Sequence, residues 1–197
     1  MNTRERLLAP QSPAPSLEAV LANRENRAKR QKTLLGRGWE TVISFCVNMP
    51  GPVKDNLAGR IIYQAGITAL EEIFALAGFF VGERMETREP TGWECLLAVN
   101  ENPQGIKEMM IALEESHPLG RLFDLDVLGA DGAALSRVEM GHAPRPCLLC
   151  GDVAAVCARS RKHGLELVLK QVSRMAAAFQ RTAKKAQGPS GPRSRRD

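Results

Sequence analysis

Gly120-Arg121-Leu122-Phe123-Asp124-Leu125-Asp126-Val127 is the stretch on which the reading of the fold turns. With Leu122 to Val127 as a strand, side chains alternate, so Phe123, Leu125 and Val127 share one face and Leu122, Asp124 and Asp126 the other. The apolar face anchors the strand in a core. The opposite face projects two neighbouring carboxylates, an arrangement suited to a hard divalent cation bound through oxygen. A solvated edge strand carries the same Asp-x-Asp pattern, so the pair needs support from the rest of the chain. It is not a calcium loop, because Leu128 stands where that pattern needs an oxygen ligand.

Downstream, Gly129-Ala130-Asp131-Gly132 turns the chain, and Ala134 to Val138 is predicted to pair antiparallel with the Asp-x-Asp strand, bringing Ser136 and Arg137 alongside it. Upstream, Asn102-Pro103 opens a helix with Ile106, Met109, Met110 and Leu113 as its buried stripe, closed by His117-Pro118. Val42 to Val47 reads as a buried strand, and Phe79 to Met85 and Glu94 to Val99 as two more joined across Pro90-Thr91-Gly92. Between them, Asp55 or Asn56 caps a helix whose stripe runs from Ile62 to Ala77. Lys54 then sits at a helix N-terminus with Arg60 one turn later, which is either a phosphate site or a structural turn with exposed cations.

Ser16 caps a basic helix from Leu17 to about Leu35 that ends at Gly36 and Gly38. Two helices close the ordered part, Asp152 to Lys162 ended by Gly164, and one with Leu165, Val168, Leu169, Val172, Met175, Ala176 and Phe179 as its stripe. The expected architecture is α+β, a mixed, mostly antiparallel sheet flanked by helices in a single domain over residues 16–182. Residues 1–15 are expected to be a flexible lead-in and 183–197 a disordered basic tail.

The chain has 197 residues and 44% hydrophobic content, enough for a sizeable core. No stretch approaches the ~20 apolar residues of a membrane span and the first residues form no apolar leader, so a cytoplasmic protein is expected. A net charge of +5 favours an anionic partner. Much of it lies between Leu21 and Gly38, where six Lys/Arg face the single acid Glu25: either a solvated face or a docking surface for an acidic partner. Phosphate-loop, dinucleotide, zinc-protease and serine-hydrolase signatures are all absent. What remains, two carboxylates and scattered cations, suits metal-assisted transfer of a phosphate-bearing group.

Cys147-x2-Cys150-x6-Cys157-x5-His163 offers four zinc ligands. Three readings stay open here: structural zinc, buried thiols and a redox pair. On a single helix Cys157 and His163 would point apart, so the zinc reading requires the helix to end between them.

Three blocks together resemble a known family: Asn48-Met49-Pro50-Gly51-Pro52-Val53-Lys54, then His117-Pro118-Leu119 running into Gly120 to Val127, then Arg145-x-Cys147-x-x-Cys150 through Cys157-Ala158-Arg159-Ser160-Arg161-Lys162-His163. They look like the apo-citrate lyase phosphoribosyl-dephospho-CoA transferases, over roughly Leu17 to Met175. The resemblance implies a nucleotidyltransferase-like fold and transfer of a prosthetic group from 2′-(5″-triphosphoribosyl)-3′-dephospho-CoA to a serine of the apo acyl carrier protein subunit of citrate lyase, with release of diphosphate. It further implies Mg²⁺ on Asp124 and Asp126. Arg121 is then a candidate catalytic group, and Lys54, Arg60, Arg121 and Arg137 candidates to hold the phosphates. The basic helix around Arg24, Arg27, Arg30 and Lys32 would receive the carrier protein. A third carboxylate is not evident, Glu94 and Glu139 being the candidates. A transferase loading another carrier protein is the nearest alternative. A zinc-supported nucleic-acid-binding module is a different one, disfavoured by 5% aromatic content without basic-aromatic interleaving.

Overall fold

The computed structural model describes residues 2–186. Four strands, β1 (Thr41–Val47), β2 (Glu83–Glu89), β3 (Gly92–Val99) and β4 (Phe123–Gly129), form a sheet in the order β2-β3-β1-β4 with every neighbouring pair antiparallel. The sheet is therefore antiparallel throughout rather than mixed. The helices are α1 (Thr3–Leu8), α2 (Leu17–Gly36), α3 (Leu57–Ala77), α4 (Pro103–Ser116), α5 (Ala154–Ser160) and α6 (Leu165–Ala186).

The central strand β1 alternates Val42 and Ser44 toward α2 with Ile43 and Phe45 toward α3. Leu34 of α2 meets Val42, Leu96 and Ala98 in a small cluster on one face. The main core lies on the other, where α3 and α4 bring Ile62, Leu70, Ile106 and Met110 against Ile43, Phe45, Leu97, Leu125 and Val127. Gly66 lets α3 settle onto the sheet, since a Cβ there would stand 2.3 Å from the Phe45 ring. Asn56 supplies the α3 cap through its side chain.

Several expected boundaries moved. The stretch expected to be a flexible lead-in carries α1, whose Asn2 and Glu5 form a capping box and whose Leu7 is fully buried. Burying that one leucine is worth roughly 1.5–3 kcal/mol, enough to dock a short segment between α3 and α6. Strand β2 begins at Glu83, four residues later than Phe79, because Gly82 passes beneath the Trp39 ring. The hairpin strand expected at Ala134 to Val138 does not form: Ala134 makes one isolated bridge to Leu128 and the chain coils into turns. At the other end, 183–186 belong to α6, and the rest of the expected tail, 187–197, lies outside the described residues. No helix among the described residues is long and apolar enough to cross a membrane.

Candidate active site

Strand β4 delivers its two acids as its alternation requires, with Phe123, Leu125 and Val127 buried while Asp124 and Asp126 stand on the α2 side. Leu122 is not part of the strand. It ends a 3-10 turn, Gly120–Leu122, tightened where Gly120 packs against the Glu114 carbonyl so closely that a Cβ would lie 2.4 Å from that oxygen.

Register places two rows across the sheet. Glu94, Cys46 and Asp124 lie side by side on β3, β1 and β4, and Leu96, Ser44 and Asp126 form the adjacent row. Glu94 therefore stands on the correct face, but two strand spacings of ~4.8 Å separate it from Asp124. Its carboxylate is also taken. Asn23, Arg27 and Arg30, one face of α2 at i, i+4 and i+7, donate to it at 2.7, 2.8 and 2.9 Å, and the residue is 4% exposed. So Arg27 and Arg30 are turned to the sheet, leaving Arg24, Lys29 and Lys32 on the outside of α2. Glu139 lies exposed in a turn, on no strand.

Asp124 keeps 45% of its side chain exposed, accepting from Arg145 at 3.5 Å and from the Cys46 thiol at 3.6 Å. Asp126 has an open tip, yet desolvation, then Asp124, raises its pKa. Burial and then Asp124 push the Cys46 thiol well above its usual range, so it stays protonated. Burial works against the Arg27 cation, but Cys46, Glu94, Asp124 and Asp126 outweigh it and hold its pKa above the usual arginine value. Arg27 and Arg145 thus each sense both aspartates.

The outer edge of β4 has no strand beside it, so side chains satisfy its backbone. Lys107 donates to the Leu125 carbonyl at 3.0 Å, Glu114 accepts from the Leu125 N–H at 3.3 Å, and Arg145 donates to the Phe123 carbonyl at 2.6 Å. These groups cover an edge that would otherwise invite pairing. Arg145 also holds Glu114, its Nε lying 3.1 Å from Oε2, so a single guanidinium joins the edge to Asp124. Burial raises Glu114, with Arg145 opposing, and depresses Lys107, with Glu114 opposing. No local pattern in the sequence marks Arg145, Arg27 and Cys46 for this site: their partners there lie 19 to 78 positions away.

The remaining candidates are dispersed. Arg137 pairs with Glu114 at 3.7 Å and with Glu115, and its Nε and Nη1 have no hydrogen-bond partner among the described residues. Lys54 donates to the Met49 carbonyl, and burial, then Arg24, lowers its pKa. Arg60 pairs with Asp55 at 3.2 Å and lies 5.2 Å over the Trp93 ring. Arg121 donates to the Pro146 carbonyl.

The cysteine block closes on itself. Helix α5 ends at Ser160 and Arg161 follows in the left-handed region at φ 49°, turning the chain so that His163 comes back to Cys157. That is the break the sequence required. The ligating atoms of Cys147, Cys150, Cys157 and His163 all lie within 4.8 Å of one another, with Cys150 Sγ 3.6 Å from Cys157 Sγ and 3.3 Å from His163 Nε2. The Leu149 N–H donates to Cys147 Sγ at 3.4 Å, as in a metal knuckle. Burial opposes ionisation of Cys147, yet the Leu149 and Cys150 N–H groups outweigh it and bring it to about 6, while burial and the neighbouring thiols push Cys157 up to about 12. This group could hold a metal ion, and among the described residues no other set of three or more ligating side chains comes together. Three of its members, Cys147, Cys157 and His163, line a cleft of ≈ 610 Å³ with Asn48, Gly51 and Arg121.

Comparison with known proteins converges on one family. A profile described as "Apo-citrate lyase phosphoribosyl-dephospho-CoA transferase" matches residues 15–179. Curated relatives of that name from a strain of Escherichia coli and from Shigella boydii are each 40% identical over 159 residues, spanning 81% of this chain and 87% of the relative.

Proposed function

Because the chain belongs to the apo-citrate lyase phosphoribosyl-dephospho-CoA transferase family, we propose that it moves the phosphoribosyl-dephospho-CoA group from its triphosphate donor to a serine of the apo acyl carrier protein of citrate lyase. The bond between the serine oxygen and the phosphorus nearest the ribose forms, the bond from that phosphorus to diphosphate breaks, and the serine proton is released. The observation that carries the assignment of residues is the alternation of β4. It sets Asp124 and Asp126 on one face, partly open to solvent, with Arg145 beside the first and Arg27 near both.

Asp124 and Asp126 are the residues to hold Mg²⁺, and their chemistry fits: two hard oxygen donors at alternate positions on one face of a strand, the first half-buried and the second exposed. When bound, the ion supplies neutralisation of the leaving diphosphate and activation of the attacking oxygen. The chain's own groups do the rest. Arg145 fixes the Asp124 carboxylate and ties it to the strand edge. Arg27 and Lys54 make a cationic flank that meets the triphosphate. Glu94 keeps Arg27 in place and is not itself a ligand. Arg60 and Arg137, engaged by Asp55 and by Glu114 and Glu115, hold the start of α3 and the end of α4. The outward cations of α2, Arg24, Lys29 and Lys32, receive the acidic carrier.

The Cys147, Cys150, Cys157 and His163 group is assigned to zinc, since three thiols and an imidazole form the donor set of a closed structural site. Four protein ligands leave no position for substrate, so this ion stands outside the transfer chemistry. Elemental analysis tests it directly: about one zinc per chain is expected, and a zinc-free protein of full stability contradicts it.

The transfer itself is tested by incubating the purified chain with Mg²⁺, the triphosphoribosyl donor and apo carrier protein and recording the intact mass of the carrier. A gain of one prosthetic group is expected. An unchanged carrier mass with intact donor contradicts the proposal.

A further inference from the structure

We propose that the cleft between the Asn48 to Gly51 turn and the cysteine–histidine knuckle binds the dephospho-CoA arm of the donor. This rests on the transferase reading above for the identity of the ligand and on the structure for the place.

The lining decides the chemistry. One wall is apolar, built from Pro50, Leu122 and Leu148 with Leu165 and Val168 of α6. Arg121 and Arg161 are the cations at the cleft, and none of the residues lining it is acidic. Dephospho-CoA has the matching parts: a diphosphate for two guanidiniums, and an adenine and a long pantetheine for an apolar surface. The volume, ≈ 610 Å³, is in the range of pockets that enclose small organic ligands. An acyl carrier protein would need a broad interface of about 800 Å² per partner instead.

The position decides which end of the donor lies where. The Asn48 N–H donates to the Leu122 carbonyl at 2.9 Å, tying the turn to the residue that precedes β4. Leu122 lies two positions before Asp124, and Arg145, which contacts Asp124, lies two positions before Cys147 in the cleft wall. Cleft and carboxylates are therefore built from the same two short segments. A donor lodged by its dephospho-CoA arm projects its triphosphoribosyl end toward the acids. The turn itself is closely fitted, since Gly51 adopts φ 80° and a Cβ there would stand 3.3 Å from the Leu165 side chain.

Calorimetry with dephospho-CoA, which has no triphosphate and cannot react, tests the cleft on the full, metal-loaded chain. One equivalent should bind. Ala158→Trp, which fills the cleft from an exposed position on α5, and Arg161→Asn, which removes a cation while tolerating left-handed backbone, should each weaken binding about tenfold. No binding to the wild-type chain, or equal affinity in both variants with their fold and metal content intact, overturns the proposal. The two readings fail separately. Cleft-dependent binding without carrier modification removes the transferase reading and leaves the cleft. Carrier modification with binding and rate unchanged in both variants removes the cleft and leaves the transferase.

Discussion

The carboxylate face of β4 and the cysteine–histidine knuckle each gather ligating side chains, but different physics holds them. Asp124 and Asp126 stand on a strand whose other face is buried in the main core and whose edge is sealed by Lys107, Glu114 and Arg145. Strand pairing and core packing fix their geometry. The knuckle has one seven-residue helix carrying Cys157, a left-handed Arg161 and its other three ligands on loops. Its ligating atoms sit within 4.8 Å of one another, an arrangement that a cation stabilises and ionisation of the thiols alone does not. The first site is pre-organised by secondary structure; the second, on the zinc assignment proposed above, is organised by the ion it holds.

The sharpest way to break this comparison is to alter the pre-organised site. Asp124→Asn and Asp126→Asn should each slow transfer by about 10²–10³-fold, the usual effect of removing one charged group from such a site, with thermal midpoints near wild type. A large loss of stability would mean that the acids support the fold rather than the chemistry. Next in size is zinc removal. Chelation should expose the segment from Arg145 to Gly164 to protease and raise the KM for the donor about tenfold, while the amides of β1, β3 and β4 keep their exchange protection. Loss of protection across the sheet would make the two regions one cooperative unit.

Glu94→Gln probes the link between α2 and the carboxylate face. It replaces an anion held by Arg27 and Arg30, both partly exposed, so a loss of about 1–3 kcal/mol of stability is expected, measured by denaturant unfolding. Rate should fall as well, because Arg27 is freed to pair with Asp124. The smallest change is Arg161→Gly, which relieves a left-handed non-glycine residue. The metal-free chain should gain about 1 kcal/mol or less, and donor affinity should fall with the lost cation.

The same contrast explains what could be read from the sequence. The Asp pair was legible because strand alternation is a local rule and Phe123, Leu125 and Val127 satisfy it. Helices α2, α3 and α4 were legible from Ser16, Asn56 and Asn102, all of which cap as their types suggest. The four knuckle ligands were named by spacing, but their convergence depended on Arg161, and nothing in a residue type announces a left-handed arginine. Strand β2 was displaced because its Glu-Arg-Met-Glu-Thr-Arg-Glu composition hides an edge strand stabilised by Arg84–Glu86 and Arg88–Glu86 pairs. Helix α1 carries a local signal in its Asn2-x-x-Glu5 capping box, set among prolines that favour extended chain. Arg27 and Arg145 could not be found locally, since each meets its acid only once the sheet has formed.

The most direct test of the account is the intact mass of apo carrier protein after incubation with donor, Mg²⁺ and either the wild-type chain or the folded Asp124→Asn, Asp126→Asn double variant. The added prosthetic-group mass is expected with the wild type, and an unmodified carrier with the variant over the same time. Equal modification by both would contradict it, because the two acids of β4 would then have no part in the transfer.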